Sequence, residues 1–209
     1  MNTAARRSPE QYDPTTVALH WGVAFGVIFQ WFGAHAIDWF APGWARVDAR
    51  SAHILVGTAL TAGVALRLWW RARRGVRLPR DHRPEFAVAA GVTHALLHAL
   101  LGAVLGLGVF NTWVRGDSIL GWFHIPPFGD FAHDARHALA NRVVGLHRLA
   151  ANLILGVAAA HACAGLAHHF WLADGVLRRM LPMAAPRAVR RSVAVRRSEL
   201  GSGPTHDRS

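Results

Sequence analysis

"HRLAANLILGVAAAHACAGLAHH", residues 147–169, combines two properties that rarely occur together. It is apolar enough to sit in hydrocarbon, yet it carries His147, His161, His168 and His169. An ionisable side chain at membrane depth is costly and by default marks a function. His147 and His161 are fourteen residues apart. At about 100° per residue, that spacing comes within about 40° of whole turns, so a helix sends both imidazoles from nearly one face, about 21 Å apart along its axis.

The rest of the chain supplies the setting. Its 209 residues are 52% hydrophobic and 17% charged, and the mean hydropathy is +0.20 even with a charged tail. Such values belong to an integral membrane protein rather than a soluble domain. Crossing about 30 Å of hydrocarbon takes about 20 residues at about 1.5 Å each. Four stretches are long enough, at 15–36, 52–72, 86–110 and 141–172. The last would be about 48 Å long as a helix, so its ends should stand clear of lipid. The expected fold is all-α, an up-down bundle of four helices. It divides into an N-terminal arm (1–14), a membrane domain (15–182) and a tail (183–209) rich in Arg, Ser, Pro and Ala, expected to be disordered near the inner leaflet. The first span, with its basic start and Ala34-His35-Ala36, resembles a signal peptide, but its apolar run is too long and holds His20 and Gln30, so it is read as a retained helix.

All of the net charge of +11 comes from arginine, since the chain has no lysine. Sixteen arginines fall in three places: the N-terminal arm, the segment between spans two and three, and the tail from Arg178 onward. This bias places those regions, and both termini, in the cytoplasm. The connections 37–51 and 111–140 should then face the periplasm. Basic clusters just inside spans are explained by orientation and anionic lipid, so no nucleic acid partner is expected. Cys163 is the single cysteine, which leaves no disulfide framework within one chain. Locally, Pro14 with Thr15 or Thr16 as cap should start the first helix, and Pro79 and Pro84 should separate the second from the third. Residues 111–140, with Pro126-Pro127, form a connection of a length that is usually functional or flexible.

Topology then chooses partners for the two histidines. The fourth helix runs from outside to inside, which puts His147 outermost. The first begins inside at His20, and the second begins outside at His53. Depth alone pairs His20 with His161 and His53 with His147. Two imidazoles per tier suit axial ligation of haem iron with no open position, which favours electron transfer over oxygen binding. The plainer reading is that these are hydrogen-bonded packing residues. A zinc or copper transporter would want carboxylates or thiolates as well, and the span interiors hold no acidic residue. Gly57 and Gly165, each four residues after a paired histidine, leave room for a porphyrin or a neighbouring helix.

These residues resemble the bacterial di-haem cytochrome b561 family, whose characterised branch includes the superoxide oxidase that passes electrons to ubiquinone. The resemblance lies in "ALHWGVAF" around His20, "HILVGTALTAGVALRLWWR" with His53, Gly57 and Arg67, and the segment from His147 to Pro182. It implies two b-type haems held by His20, His53, His147 and His161. The third span departs from the pattern, with His94 and His98 four residues apart and no mid-helix proline. After His168-His169 the chain reads "FWLAD", without the lysine of the superoxide oxidase.

A haem ladder moves single electrons, and quinone, ubiquinone in the resemblance, is its natural lipid-soluble partner. His168, His169, His94 and His98 lie toward the inner side, where a histidine can bond a quinone carbonyl or relay a proton. Trp69, Trp70 and Trp171 read as interfacial anchors. Superoxide would be drawn by an electropositive outer entrance, for which Arg50, Arg115, Arg142 and Arg148 are available. Asp48, Asp117, Asp130 and Asp134 nearly cancel them unless folding separates the signs. Three functions stay open: a superoxide:quinone oxidoreductase of the inner membrane, a cytochrome relay for a periplasmic redox protein or dehydrogenase, and a non-redox module that handles metal or haem.

Overall fold

The computed structural model describes residues 11–76, 78, 84–173 and 175–181. The expected arm and tail therefore lie almost wholly outside the described residues, as do Arg77, Pro79, Arg80 and Arg83. Four helices run antiparallel to their neighbours in sequence: α1 (Pro14–Ile37), α2 (Trp44–Arg73), α3 (Pro84–Arg115) and α4 (His133–Phe170). All four are long and apolar enough to cross a membrane. The chain is thus a four-helix integral membrane bundle, with a termini end and a hairpin end.

Local chemistry sets the helix starts. Pro14, with φ fixed and no N–H to lose, opens α1. The cap is Asp13 rather than Thr15 or Thr16: its carboxylate accepts from the Thr16 N–H at 2.9 Å and the Thr16 hydroxyl at 2.6 Å. The residue before a first-turn proline is the N-cap, so Thr16 sits at N3 as donor. The same carboxylate accepts from the Trp70 indole at 2.9 Å and the Val76 N–H at 3.2 Å, tying the start of α1 to the end of α2. Trp70 is therefore a structural tie as well as an aromatic at the helix end. Partial burial would raise the Asp13 carboxyl, but the hydrogen bonds from Thr16, Trp70 and Val76 together outweigh it and hold the group at about 2.

α2 and α4 begin well before the hydropathy-based spans. Residues 44–51 carry Arg46, Asp48 and Arg50, and residues 133–140 carry His133, Asp134, Arg136 and His137, so hydropathy passes over them, yet they hold no helix breaker and continue the helices. Glycine at position 43, with φ of 146°, makes the turn into α2. Much of the 111–140 connection is likewise ordered. It contains a hairpin, β1 (Ser118–Ile119) and β2 (Phe123–His124), pairing Ser118 with His124 and Ile119 with Phe123. The buried Ser51 pins it: its hydroxyl donates to Val47 O at 2.9 Å, lies 3.3 Å from Ser118 O and accepts from Leu120 N–H at 3.1 Å. Arg136 spans three carbonyls, Val114 and Phe128 at 3.2 Å and Gly129 at 3.1 Å, satisfying one acceptor left over at the C-terminal end of α3 and two in the connection that follows.

α1 packs along α2 and α3 along α4, while the two pairs meet over smaller faces. Large apolar side chains such as Phe25, Phe29 and Phe32 point outward, as lipid allows. The shared interior is a narrow apolar layer of Val23, Leu101 and Ile154, with Leu60, Val64 and Leu97 against it. Ile154 is seven residues from both His147 and His161, so this layer lies midway between the two histidine levels. At the termini end, a short 3-10 turn (Leu177–Met180) docks on α1, where Met180 O accepts from the Trp21 indole at 2.6 Å.

Candidate functional site

The hairpin-end compartment is a cavity of about 460 Å³, within the range of small-molecule and cofactor pockets. His53 of α2 and His147 of α4 line it together with Gln30, Gly57, Val104 and Gly108. The two rings stand 6.3 Å apart between centroids and almost perpendicular, at 85°. His147 Nδ1 lies 3.0 Å from the Val104 carbonyl oxygen, which can only accept, so Nδ1 carries the proton and the Nε2 lone pair is free. His53 Nδ1 is buried without a hydrogen-bond partner among the described residues. The helix carrying His53 is tied to α1 by Gln30, whose amide donates to the His53 carbonyl at 2.8 Å. Gly57 makes room for that amide, since a Cβ there would meet Gln30 Nε2 at 3.0 Å. A neighbouring helix therefore fills the space that Gly57 leaves.

At the termini end, His20 of α1, Arg67 of α2, His94 of α3 and His161 of α4 gather within electrostatic reach of one another. Arg67 Nη2 donates to His20 Nδ1 at 3.2 Å. The His161 ring faces His94 at 5.2 Å between centroids. His94 thus joins this tier, a placement that sequence reasoning missed. Its position in helical register with His98, on a span whose partner helix had not been fixed, carried no signal of it.

The remaining quinone candidates do not form one cluster. His98 Nδ1 lies 2.6 Å from the His94 carbonyl oxygen of its own helix, and the side chain is exposed. His168 stands edge-on to Phe86 of α3, with ring centroids 5.3 Å apart, and His169 stands against Phe170. Gly165 faces Leu177 of the 3-10 turn, again a protein neighbour. Among the described residues, no three or more of His, Cys, Asp and Glu converge as a metal-binding group. At the hairpin end His53 and His147 form a pair, whereas at the termini end His161 meets His94 and His20 meets Arg67.

Folding brings the charges of the hairpin end together. Asp117 meets Arg50 at 3.6 Å and Arg115 at 3.4 Å, and Arg148 meets Asp38 at 3.5 Å. Two arginines on one aspartate leave a single net positive charge in that cluster, a modest field compared with four free arginines. The Trp31 indole donates to Asn152 Oδ1 at 2.9 Å, bridging α1 and α4 along the cavity wall.

Imidazoles gathered in this way are a donor set suited to the iron of a planar macrocycle. At the hairpin end the fit rests on the free His147 Nε2 and on a second imidazole, His53, across an apolar cavity. At the termini end, ligation by His20 through Nε2 requires Arg67 to release Nδ1, because an accepting Nδ1 leaves the proton on Nε2.

Comparison with known proteins agrees with this architecture. The family described as prokaryotic cytochrome b561 matches residues 11–183. A probable superoxide oxidase CybB of Yersinia pestis is 28% identical over 175 residues, covering 83% of this chain and 97% of that protein. Cytochrome b561 homolog 2 of Escherichia coli (strain K12) is 29% identical over 184 residues, covering 83% of this chain and 93% of that protein.

Proposed function

The chain belongs to the prokaryotic cytochrome b561 family of multi-pass membrane electron-transfer proteins that hold b-type haem, and from that premise we propose that it passes single electrons across the bilayer between a periplasmic donor and the quinone pool. His53 with His147 holds one haem near the outer surface, and His20 with His161 holds a second near the inner surface, with both termini in the cytoplasm. The observation that carries this reading is the His53–His147 pair, two imidazoles from different helices turned toward one apolar cavity. Bis-imidazole haem supplies a one-electron couple with no open coordination position. The layer of Val23, Leu101 and Ile154 keeps water and bulk protons out of the space between the tiers.

Quinone reduction also needs protons, and the inner side offers His94 beside His161, with His168 and His169 two turns further along α4. Any of these can donate to a ubiquinone carbonyl or relay a proton. The donor in this reading is superoxide, a role supported by the name of the Yersinia pestis relative. A second reading is favoured by the pairing of Arg50, Arg115 and Arg148 with aspartates, which reduces the pull on a small anion. In that reading the chain relays electrons for a periplasmic redox protein or dehydrogenase and lacks superoxide activity.

Stopped-flow mixing of purified, oxidised protein with superoxide, with and without ubiquinone, tests the proposal. It expects rapid haem reduction and quinone-dependent reoxidation. Inertness toward superoxide with intact quinol-driven reduction would leave the relay reading, and inertness toward both would refute quinone-linked transfer altogether.

A further inference from the structure

The contact between His147 and α3 involves more than one ring nitrogen and one carbonyl. Val104 lies inside a helix, where its carbonyl points toward the N–H four residues on, that of Gly108. A side chain one turn further along normally crowds such a carbonyl. At Gly108 there is none, and a Cβ built there would come within 3.2 Å of His147 Cε1 and 3.5 Å of His147 Nδ1. The other glycines of α3 (Gly91, Gly102 and Gly106) have nothing within 4 Å of the corresponding position. Gly108 alone among them is approached by an imidazole. Its partner across the tier, His53, has no equivalent support at Nδ1 among the described residues.

We infer that Gly108, by uncovering the Val104 carbonyl, is a positioning residue that fixes the tautomer and ring plane of His147 and so tunes one of the two haems separately from the other. The inference rests on the ligand assignment proposed above. Donation from Nδ1–H to a carbonyl makes the opposite nitrogen more basic, and a more basic ligand favours the more positive, oxidised iron. The contact therefore lowers the potential of the haem bound by His147, and crowding at residue 108 raises it.

The test compares Gly108→Ala with Gly106→Ala in purified holoprotein, by potentiometric titration of the haem bands and by EPR of the ferric state. Alanine also improves helix propensity at both positions, so Gly106→Ala removes that effect from the comparison. Gly108→Ala is expected to raise one midpoint potential, by up to about tenfold in the redox equilibrium or about 59 mV for a one-electron couple. It should also move one low-spin EPR signal while the second haem stays unchanged. Gly106→Ala should leave both haems as they were. If both variants keep two haems and titrate alike, the inference is overturned.

Should Gly108→Ala bind only one haem, nitrogen-15 histidine NMR of the ferrous, unsubstituted protein decides. The inference requires one ligand Nδ1–H that is hydrogen-bonded and slow to exchange in deuterium oxide, and finding none defeats it. A failure of the underlying ligand assignment looks different: His147→Ala would then keep both haems, whatever residue 108 does.

Discussion

Replacing Asp13 with alanine should loosen the termini end of the bundle. The carboxylate accepts four hydrogen bonds, two from Thr16, one from the Trp70 indole and one from the Val76 N–H. Losing the cap costs about 1 kcal/mol. The Trp70 bond, made to a charged acceptor, contributes about 1 kcal/mol after allowing for water at this partly exposed site, and the longer Val76 bond about 0.5 kcal/mol. The sum is about 2–3 kcal/mol, which for a chain of this size is a fall in Tm of about 5–10 °C. Thermal unfolding in detergent, followed by loss of the haem Soret band, reads it directly. Asp13→Asn, which keeps one acceptor oxygen, should fall between the two. The pH dependence has a definite sign. The folded carboxyl sits at about 2 against an ordinary 3.8, so its stabilisation is complete above pH 3.8 and lost as pH falls toward 2. The gap between wild type and Asp13→Asn should therefore narrow below pH 4. An alanine variant that melts like wild type at pH 7 would refute the claim that this carboxylate joins α1 to α2.

Two further perturbations follow from the charge and histidine placements. Asp117→Asn frees Arg50 and Arg115 from their shared partner. If superoxide is the donor, stopped-flow haem reduction by superoxide should become faster and more salt-sensitive, and an unchanged rate would exclude electrostatic entry at this point. At the termini end, His20→Ala should remove one haem, whereas His94→Ala should keep two haems by pyridine haemochrome assay and slow quinone reduction. The reverse pattern would make His94 the axial partner of His161.

Much of the fold was legible in the sequence because lipid imposes length and polarity on every span. Four apolar runs fixed the four helices, and matched depth brought His53 to His147. What stayed hidden depends on side chains meeting across elements that hydropathy treats as featureless. Asp13 and Ser51 are ordinary polar residues in sequence, yet one caps α1 while tying it to the end of α2, and the other holds the β1–β2 hairpin. The starts of α2 and α4 escaped notice because they are helical without being apolar. The arginines and aspartates of the hairpin end could be counted but not paired, and folding joined opposite signs. His94 could be seen as an intramembrane histidine, but its contact with His161 depends on the rotation of α3 against α4. The Val104 carbonyl that holds His147 has no sequence signature beyond the glycine four residues on.

The central claim is that imidazoles from three helices form two separate haem-holding tiers. Haem content per chain, with a reduced-minus-oxidised spectrum, measured on wild type, His147→Ala and His161→Ala, tests it most directly. Wild type should hold two b-type haems and each variant one, with the two variants losing spectrally different haems. Two haems retained in either variant, or loss of the same haem in both, would contradict it.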